Sequence, residues 1–173
     1  MGQQEDAIYS AIGKFQVSFQ WIEQKYREIG WFIHDPERKQ WPPRILRSEN
    51  NKEIIDKVTK MLLDLISTYN PPLGEDVSEK AKRLQIVFHE FRKFRNTRTH
   101  ASFIEFHLEA PLTIGISNKI NFDLDGSIIT SKPISADTIN NSLAEIARDA
   151  FELGQIYIQL IHWYPFERHK NFK

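Results

Sequence analysis

The sequence predicts a mainly α-helical protein, a four-helix up-and-down bundle with a small antiparallel β insertion before the last helix. Apolar residues recur at alternating intervals of three and four over long stretches, which is the pattern of helices that pack on other helices. From Phe103 the apolar period changes to two, which is typical of strands. These stretches account for most of the 173 residues. We therefore expect a single domain over 1–173.

The first two helices are predicted from an apolar stripe and from strong breakers. The first helix covers 8–33 and ends at Asp35-Pro36, because proline disfavours helix in the residue before it. A loop over 35–50 leads to a second helix, predicted over 52–69. Asn70-Pro71-Pro72 ends this helix, since such a run cannot continue a helical ladder.

The second half of the chain adds two helices and the insertion. A serine followed by glutamate opens a third helix, predicted over 78–101. The β insertion is expected at about 103–131, with a hairpin turn at Asp125-Gly126, because Asp-Gly between apolar alternations is a strong hairpin signal. Ser135 is the predicted cap of the last helix. Residues 165–173 are polar, and we expect a frayed tail there.

Composition excludes several classes of protein. The chain has no cysteine, so neither a disulfide scaffold nor a thiolate metal site is possible, and a reducing, cytoplasmic location is expected. The sequence contains neither the apolar run of a secretory signal nor a segment able to span a bilayer. It carries 23 basic and 23 acidic residues. Nucleic-acid binding would therefore depend on a local basic cluster.

Such a cluster occurs at the end of the third predicted helix. Arg92, Arg95, Asn96, Thr99 and His100 fall within an arc of about 140° on that helix. A phosphodiester requires cationic donors for its oxygens and a group that exchanges a proton near neutral pH. Arginine and histidine are suited to these two tasks.

The run Arg95-Asn96-Thr97-Arg98-Thr99-His100 resembles the Arg-Asn-x-x-x-His motif of HEPN domains, which lies near the end of a bundle helix in that family. The resemblance implies a homodimer in which two such motifs face each other. It also implies a metal-independent endoribonuclease that cleaves single-stranded RNA through attack by the ribose 2′-hydroxyl. A role as a toxin or defence effector would fit this activity.

The resemblance also implies roles for individual residues. His100 would be the general acid or base, and Arg95 would hold the phosphate and stabilise its developing charge. Asn96 would orient the histidine or a substrate oxygen. Arg92 and Arg98 are further candidates for RNA phosphate contacts, although the motif does not specify them.

Other interpretations of the motif stay open at the level of sequence. Arg27 with His34 and Arg83 with His89 have similar spacings, and only the adjoining asparagine and the place in the helix favour Arg95 with His100. These residues could also form a solvated helix end. The alternative functions are a non-catalytic HEPN interaction module, binding RNA, a nucleotide or a protein, and an unrelated helical protein.

The sequence predicts no metal site and no cofactor, because no ligand cluster or glycine-rich phosphate loop is present. Some HEPN toxins carry a tyrosine two residues after the histidine, where an antitoxin modifies it. Ser102 stands at that position. The sequence therefore does not support this form of control, and it does not identify an antitoxin or other regulator.

Overall fold

The computed structural model describes residues 3–99, 102–104, 116–123, 126–133 and 135–170, with side chains over 6–96 and 135–168. The mainly helical class is confirmed by four helices in these ranges: α1 (Gln3–His34), α2 (Asn51–Tyr69), α3 (Gly74–Thr99) and α4 (Ala136–Lys170). Three short strands lie between α3 and α4: β1 (Ser102–Ile104), β2 (Ile116–Asp123) and β3 (Gly126–Pro133).

The strands pair in the order β1-β2-β3, and both pairings are antiparallel. Ile104 is opposite Ile116, and Asp123 is opposite Gly126. The strand side chains and the connections over 105–115 and 124–125 lie outside the described residues. The predicted β insertion at about 103–131, with its hairpin turn at Asp125-Gly126, therefore stays a prediction as a whole.

The described chain groups into two compact units. The first contains Met1–Ser18 and Lys93–Ile146, and the second contains Phe19–Arg92 and Ala147–Lys173. The core of the first includes a tilted contact between Phe15 and Phe94, whose ring centroids are 4.9 Å apart. The second buries a larger set of apolar side chains, among them Phe19, Ile22, Ile55, Leu84, Phe88 and Leu160.

The ends of α2 follow from local chemistry. Asn50 Oδ1 accepts hydrogen bonds from the backbone N–H groups of Lys52 and Glu53, and the Glu53 carboxylate accepts the Asn50 N–H. This reciprocal arrangement satisfies donors that have no partner within the helix. At the other end, Asn70 has a left-handed backbone with φ of 43°, a conformation that asparagine tolerates better than most residues.

Two other helix ends differ from the prediction. α3 begins at Gly74 instead of Ser78, with Glu75 and Asp76 in its first turn, where acidic side chains are favourable. α4 continues through Pro165 to Lys170, where a frayed tail was expected. A side-chain contact within the extension is the ion pair of Arg168 with Glu37, at 3.8 Å.

The predicted up-and-down order is wrong for the second unit. Tyr157 lies beneath Lys25, and the Tyr164 hydroxyl donates to the carbonyl of Ile33. Residue numbers thus rise together along α1 and α4, so these helices run parallel, whereas an up-and-down order makes the first and last antiparallel.

The loop over 35–50 explains the difference. The Trp31 indole donates to the carbonyl of Ile45, and Arg27 donates to the carbonyl of Glu49. The loop therefore runs back along α1 for about a turn, and α2 starts near Arg27, in the last third of α1. Gly30, three residues further along α1, lies against Val58 of α2, so α2 extends in the same direction as α1.

Candidate functional site

The predicted site residues lie near the C-terminal end of α3. Arg95 and Asn96 belong to the first compact unit and Arg92 to the second, and all three side chains are half-buried. The backbone of 97–99 is helical. The Arg98 side chain and the whole of His100 lie outside the described residues, so the roles proposed for them stay predictions.

Arg95 and Asn96 are in direct contact. The amide oxygen Oδ1 of Asn96 accepts hydrogen bonds from Nε and Nη2 of Arg95, at 3.2 and 2.9 Å. Two bonds to one acceptor define the orientation of one edge of the planar guanidinium. An amide oxygen carries no formal charge, so the contact with Asn96 orients the guanidinium but does not neutralise its charge. A carboxylate at the same place would do both.

Arg92 differs from Arg95 in its surroundings. Its Nε atom is buried, and no group in the described part of the chain accepts a hydrogen bond from it. A buried donor without an acceptor costs about 1–3 kcal/mol. An anion or a rearranged side chain that supplied an acceptor would recover part of that free energy.

In the pairs Arg27 with His34 and Arg83 with His89, each arginine forms an ion pair with a carboxylate. Arg27 donates to the Glu23 carboxylate at 3.1 Å, and its His34 partner is exposed at the end of α1. Arg83 donates to Asp149 at 3.0 Å and also to Glu152. Carboxylate partners cancel much of the charge that a phosphate would require. These contacts favour a structural role for both arginines.

The Arg83 contact joins α3 to α4 through a buried acid. The Asp149 side chain is only 2 % exposed, whereas Arg83 is partly open to solvent. Burial opposes the charge of the Arg83 guanidinium, but the two carboxylates outweigh that effect and raise its pKa. The position of Arg83 is therefore determined by ion pairing within the second unit.

His89 belongs to a second polar cluster, formed with Asp56 of α2 and Gln85 of α3. Asp56 Oδ1 lies 2.7 Å from His89 Nε2 and accepts a hydrogen bond from Gln85 at 2.8 Å. Partial burial opposes ionisation of Asp56, but these two hydrogen bonds outweigh it and lower the pKa of the carboxyl group. His89 Nδ1 is buried and has no hydrogen-bond partner among the described groups.

Sequence reasoning missed both polar clusters. The partners in them are 33 and 66 residues apart, so no local spacing relates them. Asp149 lies within a predicted helix, but nothing in its neighbours distinguishes a buried acid from an exposed one. Only the packing of α3 against α2 and α4 provides that information.

Two tryptophans of the second unit contact other aromatic side chains of that unit. Trp41 lies edge-on against Trp31 at 5.7 Å between centroids, and Trp163 packs on Tyr69 at 6.5 Å. Within the described ranges, no group of three histidine, aspartate or glutamate side chains is arranged to hold a metal ion.

No family model, curated protein or solved structure matches the chain. Among the helices described, none has the length and apolar character needed to cross a membrane.

Proposed function

We propose that this chain is a metal-independent endoribonuclease that acts on single-stranded RNA as a homodimer. The observation that carries the proposal is the paired arrangement of Arg95 and Asn96 within the run Arg-Asn-x-x-x-His. Asn96 orients the Arg95 guanidinium through two hydrogen bonds, and His100 follows four residues after Asn96. An oriented cation and a proton-exchanging group are the two components that cleavage of a phosphodiester requires.

In the proposed reaction, the ribose 2′-oxygen attacks the adjacent phosphorus while its proton is removed. The bond from phosphorus to the 5′-oxygen breaks, and that oxygen receives a proton. His100 serves these proton transfers, and the Arg95 guanidinium stabilises the charge that develops on the phosphoryl oxygens. The products are a 2′,3′-cyclic phosphate and a free 5′-hydroxyl. Arg92 and Arg98 would contact flanking phosphates.

The resemblance to HEPN domains supports the proposal through the motif and not through the order of the helices, because α1 and α4 run parallel in the second unit. The alternative, a non-catalytic interaction module, would use the same basic residues for binding alone. Roles as a toxin or defence effector, a cytoplasmic location and a protein regulator stay predictions from the sequence.

The test is cleavage of a labelled single-stranded RNA by the full-length protein. His100→Ala and Arg95→Ala should each lower the rate about a hundredfold or more, as expected for general acid–base and electrostatic contributions. Arg95→Lys should also be impaired, because lysine lacks the planar fork. His34→Ala and Arg44→Ala are matched controls, since both side chains are exposed on other elements, and they should retain the wild-type rate.

Three further measurements distinguish the proposal from its alternatives. The products should end in cyclic phosphates, an all-DNA substrate should stay intact, and EDTA should leave the rate unchanged. A His100→Ala protein with the wild-type rate would rule out catalysis at this site. RNA binding that depends on Arg95 without any cleavage would support the interaction module instead.

A further inference from the structure

The loop over 35–50 is fixed by contacts with its own backbone and with α1. The Arg47 guanidinium donates a hydrogen bond from Nε to the carbonyl of Pro43, at 3.1 Å. The side chain of Leu46 is buried and lies against Gly30 of α1. Because these contacts hold the backbone of the loop, the side chains on its outer surface have defined positions.

Trp41 and Arg38 lie together on the outer surface of this loop. The Arg38 guanidinium lies over the Trp41 ring, 5.1 Å from the ring centroid. The same ring is edge-on to Trp31, which is buried. With both neighbours in place, Trp41 is still 38 % exposed, and Arg38 is also exposed. The loop therefore presents an indole and a guanidinium side by side to solvent.

No carboxylate neutralises the Arg38 guanidinium within the described part of the chain, although two acids are close in sequence. The Asp35 carboxylate accepts a hydrogen bond from the backbone N–H of Gln40 at 2.8 Å, and Glu37 pairs with Lys39 at 2.5 Å. The contact of the Arg38 side chain in these ranges is with the Trp41 ring. Its N–H groups are therefore available to an anion from outside the protomer.

The backbone of Arg38 has a positive φ of 54°. Residues other than glycine adopt this left-handed conformation rarely and at a cost in free energy. The turn itself is closed by the Arg38 N–H, which donates to the carbonyl of Asp35 at 3.1 Å. Glycine would form that bond with less strain, so the turn does not explain an arginine here. Strained positions are concentrated at functional sites.

We infer that Arg38 and Trp41 bind one nucleotide of a single-stranded RNA. The base stacks on the exposed part of the indole, and the guanidinium donates to the phosphate. Stacking on an indole tolerates any base, and an arginine that lies over a ring keeps N–H groups for phosphate oxygens. The inference rests on the proposed function for its ligand, RNA, and not for the cleavage chemistry.

The combination of the two groups favours a nucleotide over other partners. An acidic peptide would use the guanidinium of Arg38 but leave the Trp41 indole exposed. An apolar partner would cover the indole, but it would also bury a cation that lacks a carboxylate partner, which is costly. A nucleotide supplies a flat aromatic face and a charged oxygen within one unit.

The first test measures, by fluorescence anisotropy, the binding of the full-length protein to a labelled oligonucleotide of 2′-O-methyl ribose. This probe cannot be cleaved by attack of a 2′-hydroxyl. Trp41→Leu should weaken binding about tenfold, because one stacked base is lost, whereas Trp41→Phe should retain most of the affinity. Trp21→Leu is the control, at a tryptophan of α1 that is more exposed than Trp41, and it should bind as wild type does.

The second test uses Arg38→Gly, which removes the cation and relieves the backbone at once. The slope of binding against salt should fall by about 0.7 log units per tenfold change in salt, as for one phosphate contact. Trp41→Leu should leave that slope unchanged. The melting temperature of Arg38→Gly should not fall, since glycine adopts a positive φ without strain. Arg44→Ala, at another exposed arginine of the loop, should leave affinity and slope unchanged.

An abasic oligonucleotide, with the same phosphates but no bases, is the matched ligand. It should bind to wild type and to Trp41→Leu equally. Wild-type affinity of Trp41→Leu for the first probe, an equal loss with the abasic ligand, or no binding of either probe would overturn the inference. Binding that depends on Trp41 in a protein that never cleaves RNA would retain this site and reject the ribonuclease. Cleavage by a protein whose affinity does not depend on Trp41 would do the reverse.

Discussion

At the residue scale, the contact between the neighbouring side chains of Arg95 and Asn96 has an uncharged amide oxygen as its acceptor. The Asn96 amide oxygen orients the guanidinium through bonds of 2.9 and 3.2 Å. Sequence reasoning assigned Asn96 to the histidine or to a substrate oxygen. Its described contact with Arg95 adds a third role, in which asparagine orients the guanidinium that is proposed to hold the phosphate.

Two substitutions at Asn96 separate orientation from charge. Asn96→Asp keeps an acceptor of the same shape but adds a negative charge next to Arg95, so RNA binding should weaken about tenfold or more, as for a charge-assisted contact of about 1.5–3 kcal/mol. Asn96→Ala removes the orientation but keeps the cation, so binding should change less than the cleavage rate. Filter binding and single-turnover cleavage measure the two effects. Equal binding by the Asp and Ala variants would contradict a charge effect.

Asp56 provides a test, again at a single residue, of how the free energy of unfolding depends on pH. Its folded-state pKa is lowered, because the hydrogen bonds from Gln85 and His89 outweigh the opposing effect of burial. A carboxyl group with a lowered pKa adds stability above its unfolded pKa of about 3.9, and that contribution disappears as the pH falls through the folded value.

Asp56→Asn should therefore lower the free energy of unfolding at pH 6, and the difference from wild type should shrink below about pH 4. Urea titrations at several pH values provide the measurement. Asp64→Asn is the control, because Asp64 forms an exposed pair with Lys60, and such pairs contribute little. If Asp56→Asn lowers the free energy of unfolding by the same amount at every pH, the charge of the carboxylate is not what stabilises the cluster.

At the scale of the elements, the start of α2 shows how local sequence specifies a helix end. Asn50 and Glu53 exchange hydrogen bonds with each other's backbone N–H groups, and Asn70 closes the helix with a positive φ. These contacts require only residues within four positions of each other. For this reason the sequence predicted α2 closely.

Asn50→Ala should reduce the free energy of unfolding by about 1 kcal/mol, because it removes the acceptor for two backbone donors. Asn50→Asp should retain most of the stability, since aspartate caps helices equally well. Chemical denaturation monitored by circular dichroism compares the variants. The control is the same change to alanine at Asn141, an exposed residue of α4. An equal loss of free energy of unfolding there would indicate that the effect is not specific to the cap.

At the scale of the whole molecule, a net charge of zero means that the proposed binding of RNA would depend on individual contacts. Binding of single-stranded RNA should fall by about 0.7 log units per phosphate contact for each tenfold rise in salt. Arg92→Ala should reduce this slope by about one contact, while Arg44→Ala should leave it unchanged. Fluorescence anisotropy between low and moderate salt gives both slopes. If the slope is the same in the Arg92→Ala variant as in wild type, Arg92 does not contact an RNA phosphate.

The sequence by itself determined where the helices and the motif lie. The tertiary structure decided the direction of the helices, the partners of the polar side chains and the exposure of each side chain. An apolar stripe and a helix cap depend on residues one or two turns apart, so they can be read along the chain. The parallel course of α1 and α2 depends on how the loop over 35–50 packs back onto α1. The burial of Asp149 and the exposure of Phe151, two residues later on the same helix, depend on which neighbours cover each side of α4. Those neighbours are distant in sequence, and only the folded chain brings them together.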